Sequence, residues 1–168
     1  MFKLQFDQKE IINWSKLYPI AYDYEVDKID ASLVCNRGYF TKQEFVTICL
    51  WKTPCSKSEV ESNEERKIIS LTRNVFSTPD EQRRIDVLNL LDGVNWSTSS
   101  ALLHFGFPDT YPILDYQRLR SLGREISPKS YNFERWWQYT QFCKQLATKA
   151  KVTMRVLDRA LLQYSKEN

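Results

Sequence analysis

The stretch "LLDGVNWSTSSALLHF", Leu90–Phe105, decides how the chain is read. Two leucines run into Asp-Gly-Val-Asn, and three serines and a threonine follow before the sequence turns apolar again. Gly93 permits the left-handed backbone that closes a helix, and Asn95 is a good N-cap for the next one. The pattern is therefore helix, tight turn, helix. The first amides of the second helix have no internal acceptors. Asn95, Ser97, Thr98, Ser99 and Ser100 surround them with small polar groups. Such a helix start is either a well-capped packing face or a seat for a phosphate.

Helical punctuation continues on both sides. "STPDEQRRIDVLNLLDG" reads as a helix with Ser77 or Thr78 as its cap, Pro79 at its first position and Ile85, Leu88 and Leu91 on its apolar stripe. The second hairpin helix runs from about Trp96 to Phe105 and closes at Gly106 and Pro108. Upstream, Asp7 caps a helix through Ile11, Ile12 and Leu17. A second helix covers Lys28 to Asn36, and Thr41 with Glu44 forms a capping box before "KQEFVTICLWK". "CSKSEVESNEE" reads as a polar loop, and a helix follows from about Glu64 to Phe76. Downstream, an extended connector restrained by Pro108 and Pro112 leads to a short helix that Asp115 caps and Gly123 ends. Two helices complete the chain, one over about Phe133 to Ala150 and one from a Thr153 cap through Tyr164. With no run of period-two alternation, the fold class is all-α.

At 168 residues the expectation is a single all-α domain over 1–168, with room for two lobes and the hairpin and Asp115 segment at 79–123. A hydrophobic fraction of 42% and 14% aromatics belong to a folded chain rather than a disordered one. The four cysteines, Cys35, Cys49, Cys55 and Cys143, form no CxxC pair. Buried free thiols are expected, with no metal site and no iron–sulfur cluster. No apolar run is long enough for a membrane span and the start does not read as a signal peptide, so the expected location is cytoplasmic. Charge is uneven. Residues 1–114 carry 13 Lys and Arg against 16 Asp and Glu, and residues 115–168 carry 11 against 5. A basic final third fits a polyanion, or a solvated set of helix faces.

In "YPILDYQRLRSLG", Asp115 lies between an apolar connector and a short helix bearing Arg118 and Arg120. It is either an N-cap alone, or a carboxylate at a fixed address that can stabilise positive charge developing on a sugar.

Together, "LLDGVNWSTSSALLHF" and "PILDYQRLRSLG" resemble the helix-hairpin-helix DNA glycosylases, the endonuclease III-like superfamily, over about Ile85 to Gly123. The hairpin pattern Leu-x-Gly-Val is met by Leu91, Gly93 and Val94, and Thr98 meets the threonine that follows. The resemblance places Asp115 on the catalytic aspartate, Arg120 on the arginine after it, and Leu122-Gly123 on the closing pair. It implies a compact helical fold and DNA as partner. It also implies hydrolysis of the N-glycosidic bond to a flipped modified or damaged base. Gly93, Val94, Asn95, Ser97 and Thr98, with Arg118 and Arg120, are then the DNA-binding candidates.

Departures from the family pattern refine that expectation. Asn95 replaces the second hairpin glycine, at the turn whose carbonyls often hold a monovalent cation; no other cofactor is implied. Ser97 replaces the lysine that attacks the sugar in bifunctional members, and a serine cannot form a Schiff base. The expected activity is therefore monofunctional, without strand cleavage. Gln117 replaces the usual histidine, and Trp51 and Lys52 stand where a family glutamine reaches the lesion. Trp51 is either core or a surface for an extruded base; Lys52 either caps a helix end, contacts phosphate or serves as a displaced nucleophile. His104, the only histidine, is either a satisfied core residue or a base. Arg155, Asp158 and Arg159 form either an ion-paired surface or a buried lock. The alternative function is a non-catalytic helix-hairpin-helix module that binds DNA or another partner without releasing a base.

Overall fold

The computed structural model describes residues 1–168 as an all-α protein. Its helices are α1 (Ile11–Leu17), α2 (Ala31–Arg37), α3 (Lys42–Lys52), α4 (Lys57–Ser62), α5 (Glu65–Ser77), α6 (Glu81–Leu88), α7 (Trp96–Gly106), α8 (Tyr116–Arg120), α9 (Phe133–Ala150) and α10 (Met154–Glu167). They divide into two units. One joins Met1–Ile20 to Asp109–Asn168, and the other is Ala21–Pro108. The division falls inside the 79–123 segment, so the hairpin belongs to one unit and Asp115 to the other.

In the first unit α1 packs on α10, and α10 also meets α8 and α9. Leu119, Leu122, Trp136, Tyr139, Cys143, Leu157 and Leu161 fill the space between them. The N-terminal residues are tied to the end of α8, because the Lys3 and Gln5 amides donate to the Leu122 and Ser121 carbonyls at 3.0 Å each. Asn132 and Thr153 cap α9 and α10. Both helices begin where the sequence places them, since an Asx or Thr cap is a strictly local signal. Phe133 and Trp137 are half-buried and stack on each other at the rim (ring centroids 6.1 Å apart).

In the second unit α3 packs on α7 and α5 on α6. Phe45, Ile48, Cys49, Ile68, Val75, Ile85, Leu88, Ala101 and Leu102 are buried there. The Thr41–Glu44 capping box opens α3, and Glu44 is also ion-paired to Arg37. Three expectations change. "CSKSEVESNEE" is not a loop: a turn at Pro54–Ser56 leads into α4, whose Val60 is fully buried. One apolar residue in six is too little for a periodicity to register. The cap of α6 is Asp80, which accepts from the Arg83 amide, rather than Ser77 or Thr78; α5 continues to Ser77, and Thr78 bonds the Asp80 amide. The second helix starts at Ala31 behind an Asp30 cap, later than Lys28. Of the thiols, Cys49 and Cys143 are buried and Cys35 and Cys55 exposed, where all four were expected inside. Burial pushes the Cys49 and Cys143 thiols up, away from thiolate chemistry. No group of three or more His, Cys, Asp or Glu could hold a metal ion, and no helix is long and apolar enough to cross a membrane.

Candidate functional site

The hairpin forms at the expected residues. Helix α6 ends at Leu88, a series of turns follows, and Gly93 takes φ +76° before Asn95 caps α7. Space constrains Gly93 as much as dihedral does: a Cβ there would lie 2.8 Å from Val60 Cγ2 and 3.0 Å from the Val60 amide nitrogen. Helix α4, invisible in the sequence, is thus the wall against which the hairpin turns. Asn63 at its end completes the clamp. Its Nδ2 donates to the carbonyls of Val60 (3.0 Å) and Asp92 (2.9 Å), and its Oδ1 accepts from the Asp92 amide at 2.9 Å. Only 1% of Asn63 is exposed. Sequence reasoning passed over it, because an Asn between acidic residues carries no mark of burial.

The small polar residues after the turn face inward. Asn95 Oδ1 accepts from the Thr98 amide (3.1 Å) and from its hydroxyl (3.2 Å). The Thr98 hydroxyl also bonds the Thr53 hydroxyl at 3.0 Å, which sets the end of α3 against the start of α7. Ser99 donates to Asn89 Oδ1 at 2.7 Å and Ser100 to the Ser97 carbonyl at 2.7 Å. Thr98, Ser99 and Ser100 are fully buried, so their hydroxyls cement the hairpin rather than offer themselves to a ligand. Asn95 is exposed, and Gly93, Val94, Trp96 and Ser97 are half-buried. What remains for a phosphate is the first-turn amides of Trp96 and Ser97 and the Ser97 side chain.

The flanking candidates divide. Trp51 donates its indole N–H to Asp23 at 3.2 Å and sets its ring edge-on to Phe105, with centroids 5.3 Å apart. Asp23 is fully buried, so Trp51 is anchored in its own unit, although it is only half-buried. Lys52 is half-buried on the last residue of α3. His104 is 6% exposed and edge-on to Phe105, the position of a core histidine.

In the other unit Asp115 stands at the end of a stiff connector. Tyr111, Ile113 and Leu114 are buried, and the Tyr139 hydroxyl donates to the Ile113 carbonyl at 2.8 Å. Asp115 caps α8 with Oδ1, accepting from the Arg118 amide at 2.9 Å, while Oδ2 accepts from Arg118 NH1. Its side chain keeps 17% exposure. Arg118 then forks onto Asp158, Nε to Oδ1 at 2.6 Å and NH2 to Oδ2 at 2.7 Å. Arg118 and Asp158 are 2% and 1% exposed, and Arg155 approaches Asp158 from the surface side at 3.8 Å.

This arrangement corrects one expectation. Arg118 is not presented to a phosphate; it is the buried centre of a carboxylate–guanidinium–carboxylate node. Burial alone works against its charge, but Asp115 and Asp158 outweigh it and hold the guanidinium protonated. Of the lock suspected at Arg155, Asp158 and Arg159, Asp158 is the buried carboxylate and Arg155 a secondary partner; Arg118 is its main cation, and Arg159 lies over the Tyr18 ring, 5.6 Å from its centroid. Arg120 is exposed and donates to the Asn168 main-chain oxygen at 2.9 Å; Gln117, three residues before it on α8, is also exposed.

Tyr131, just before the α9 cap, is a residue the sequence did not single out. Its hydroxyl is buried with no hydrogen-bond partner, and burial together with the Asp115 charge pushes the phenol up to about 12. Chemically, this unit offers a fixed, partly exposed carboxylate and a neutral phenol within reach of its field.

Comparison of the chain with protein-family models, with curated proteins and with solved structures finds no match.

Proposed function

We propose that the protein binds DNA and hydrolyses the N-glycosidic bond of a flipped modified or damaged base, leaving an uncut abasic site. The observation that carries this reading is the setting of Asp115: a carboxylate at the end of an immobilised connector, tied to a buried arginine, with part of its surface open. A carboxylate held in advance stabilises an oxocarbenium-like sugar, or orients water, without reorganising as charge develops. The likeness of residues 85–123 to the helix-hairpin-helix DNA glycosylases supports the choice of substrate, and the first-turn amides of Trp96 and Ser97, just after the clamped Gly93 turn, are suited to a phosphate. Ser97 at the hairpin leaves no amine for a Schiff base, which is why strand cleavage is excluded from the proposal.

A second reading draws on a specific observation. Both Asp115 oxygens already accept from Arg118, and the α7 hydroxyls turn inward, as they would in a DNA-binding module without chemistry. Asp115→Asn separates the two readings. An asparagine still caps α8, and Arg118 keeps Asp158, so the fold survives. The expected result, across a panel of duplexes bearing different modified bases, is base release reduced by about a hundredfold or more with DNA affinity retained. Equal release by wild type and variant, or no release from any duplex, rejects the glycosylase.

A further inference from the structure

We propose that the cavity at the α9–α10 turn is a docking site for the phosphodiester backbone of a nucleic acid. The proposal rests on the DNA-binding part of the reading above and adds to it a surface that the hairpin does not contain. The cavity measures about 490 Å³ and is walled by Lys144, Thr148 and Lys151 from the end of α9 and Thr153 and Met154 from the start of α10, with Asp109 at its edge. Lys144 and Thr148, four residues apart, share one side of α9, and Lys151 follows as its left-handed C-cap.

Charge selects the occupant. From Arg135 to Lys166 the sequence carries seven cations (Arg135, Lys144, Lys149, Lys151, Arg155, Arg159 and Lys166) and a single acid, Asp158. That acid is buried in the node with Arg118, with Arg155 at 3.8 Å, and it leaves Lys144, Lys149 and Lys151 at the turn unneutralised by it. The other carboxylate at the cavity, Asp109, is committed to the Met154 amide, which donates to its Oδ1 at 3.0 Å. Thr148 and Lys151 are exposed and Lys144 is half-buried, with its ammonium 5.7 Å from the Tyr111 ring centroid. Two lysines would serve one free phosphate; cations running on along both helices suit a chain of phosphates. The turn itself is unusual, since the two non-glycine residues with positive φ, Asp109 (62°) and Lys151 (56°), both line this cavity.

The test measures the affinity of a fluorescently labelled DNA duplex at several salt concentrations. Wild type is compared with Lys144→Gln/Lys151→Gln and with a control pair of equal charge change on exposed residues elsewhere in the unit, Lys9→Gln/Lys16→Gln. The cavity pair is expected to weaken binding and to lower the slope of log affinity against log salt by about 2, since each phosphate contact contributes ~0.9. The control pair leaves the slope in place. Base release at saturating DNA stays at the wild-type rate in both. An unchanged slope in the cavity pair, or an equal fall in both pairs, overturns the docking site while leaving the glycosylase reading intact. Failure of the wild type to bind DNA at low salt overturns both. Inorganic pyrophosphate is titrated in parallel; saturable binding that Lys144→Gln/Lys151→Gln abolishes, with DNA affinity unaffected, assigns the cavity to a small phosphate compound and overturns the proposal.

Discussion

The connector at 111–115 and the hairpin at 89–95 are both short pieces of backbone fixed against helices, and they are fixed by opposite chemistry. The connector leads into a buried ionic node, with Arg118 between Asp115 and Asp158. The buried contacts that hold the hairpin are neutral, the Asn63 amide, the Asn95 cap and the hydroxyls of Thr98 and Ser99, while the Lys67–Asp92 ion pair at 3.3 Å lies in water and adds little. Bringing charges out of water costs several kcal/mol per ion, recovered only by close, forked geometry. A neutral hydrogen bond contributes about 0.5–1.5 kcal/mol net, and its loss is correspondingly smaller. The difference suits two tasks. A carboxylate proposed to act in its ionised form is served by a guanidinium held beside it; a turn proposed only to present amides is served by many modest restraints.

The largest expected effect comes from breaking the ionic node. Arg118→Met takes the forked cation from two carboxylates, one of them fully buried and left with Arg155 at 3.8 Å, and should cost about 3–5 kcal/mol in denaturant unfolding. Removing the second charge as well, in Arg118→Met/Asp158→Leu, should recover much of that loss, since an apolar pair carries no desolvation penalty. A double variant as unstable as the single one would mean that the node stabilises through its net attraction rather than by mutual need.

That node also marks the limit of what the sequence discloses. The Asn95 cap, the Thr41–Glu44 box and the start of α9 rest on neighbours a few residues apart, so local pattern suffices to place them. Arg118 and Asp158 are 40 residues apart, and nothing in "DYQRLRSLG" distinguishes the arginine that turns inward from Arg120, which does not. The same holds for Asn63 and Asp92, 29 residues apart. Asp80 and Thr78 show a subtler failure. Both are good cap residues, and the choice between them depends on α5 running on to Ser77, a matter of packing. Thus all-α architecture, hairpin and Asp115 were legible, while the groups that immobilise them were not.

The hairpin's own test is a comparison of glycines. Gly93 and Gly38 share φ +76°, but a Cβ at Gly38 meets nothing within 4 Å, whereas at Gly93 it meets Val60. Gly38→Ala should therefore cost about 1 kcal/mol, the dihedral penalty alone. Gly93→Ala adds overpacking against α4, for a total of about 2–4 kcal/mol. Equal losses at the two sites in thermal or denaturant unfolding would show that α4 yields, and that the hairpin wall is softer than the neutral clamp suggests.

The smallest effect distinguishes the two regions by their reach, because a charged node acts beyond its hydrogen bonds and a neutral clamp does not. Tyr131 reports that reach. Its phenol is raised from an ordinary 10.0 to about 12, first by burial and then by the Asp115 carboxylate, which opposes a second negative charge. The folded value lies above the unfolded one, so the associated stability is complete below about pH 10 and is lost as the pH rises towards about 12. A tyrosinate absorbance titration checks this directly. Tyr131→Phe removes one late-titrating phenol, and Asp115→Asn moves that phenol to lower pH while leaving burial in place. Were Tyr131 to titrate at the same pH in Asp115→Asn as in wild type, burial alone would account for its shift. The field of the node would then end at Arg118 and not reach the phenol.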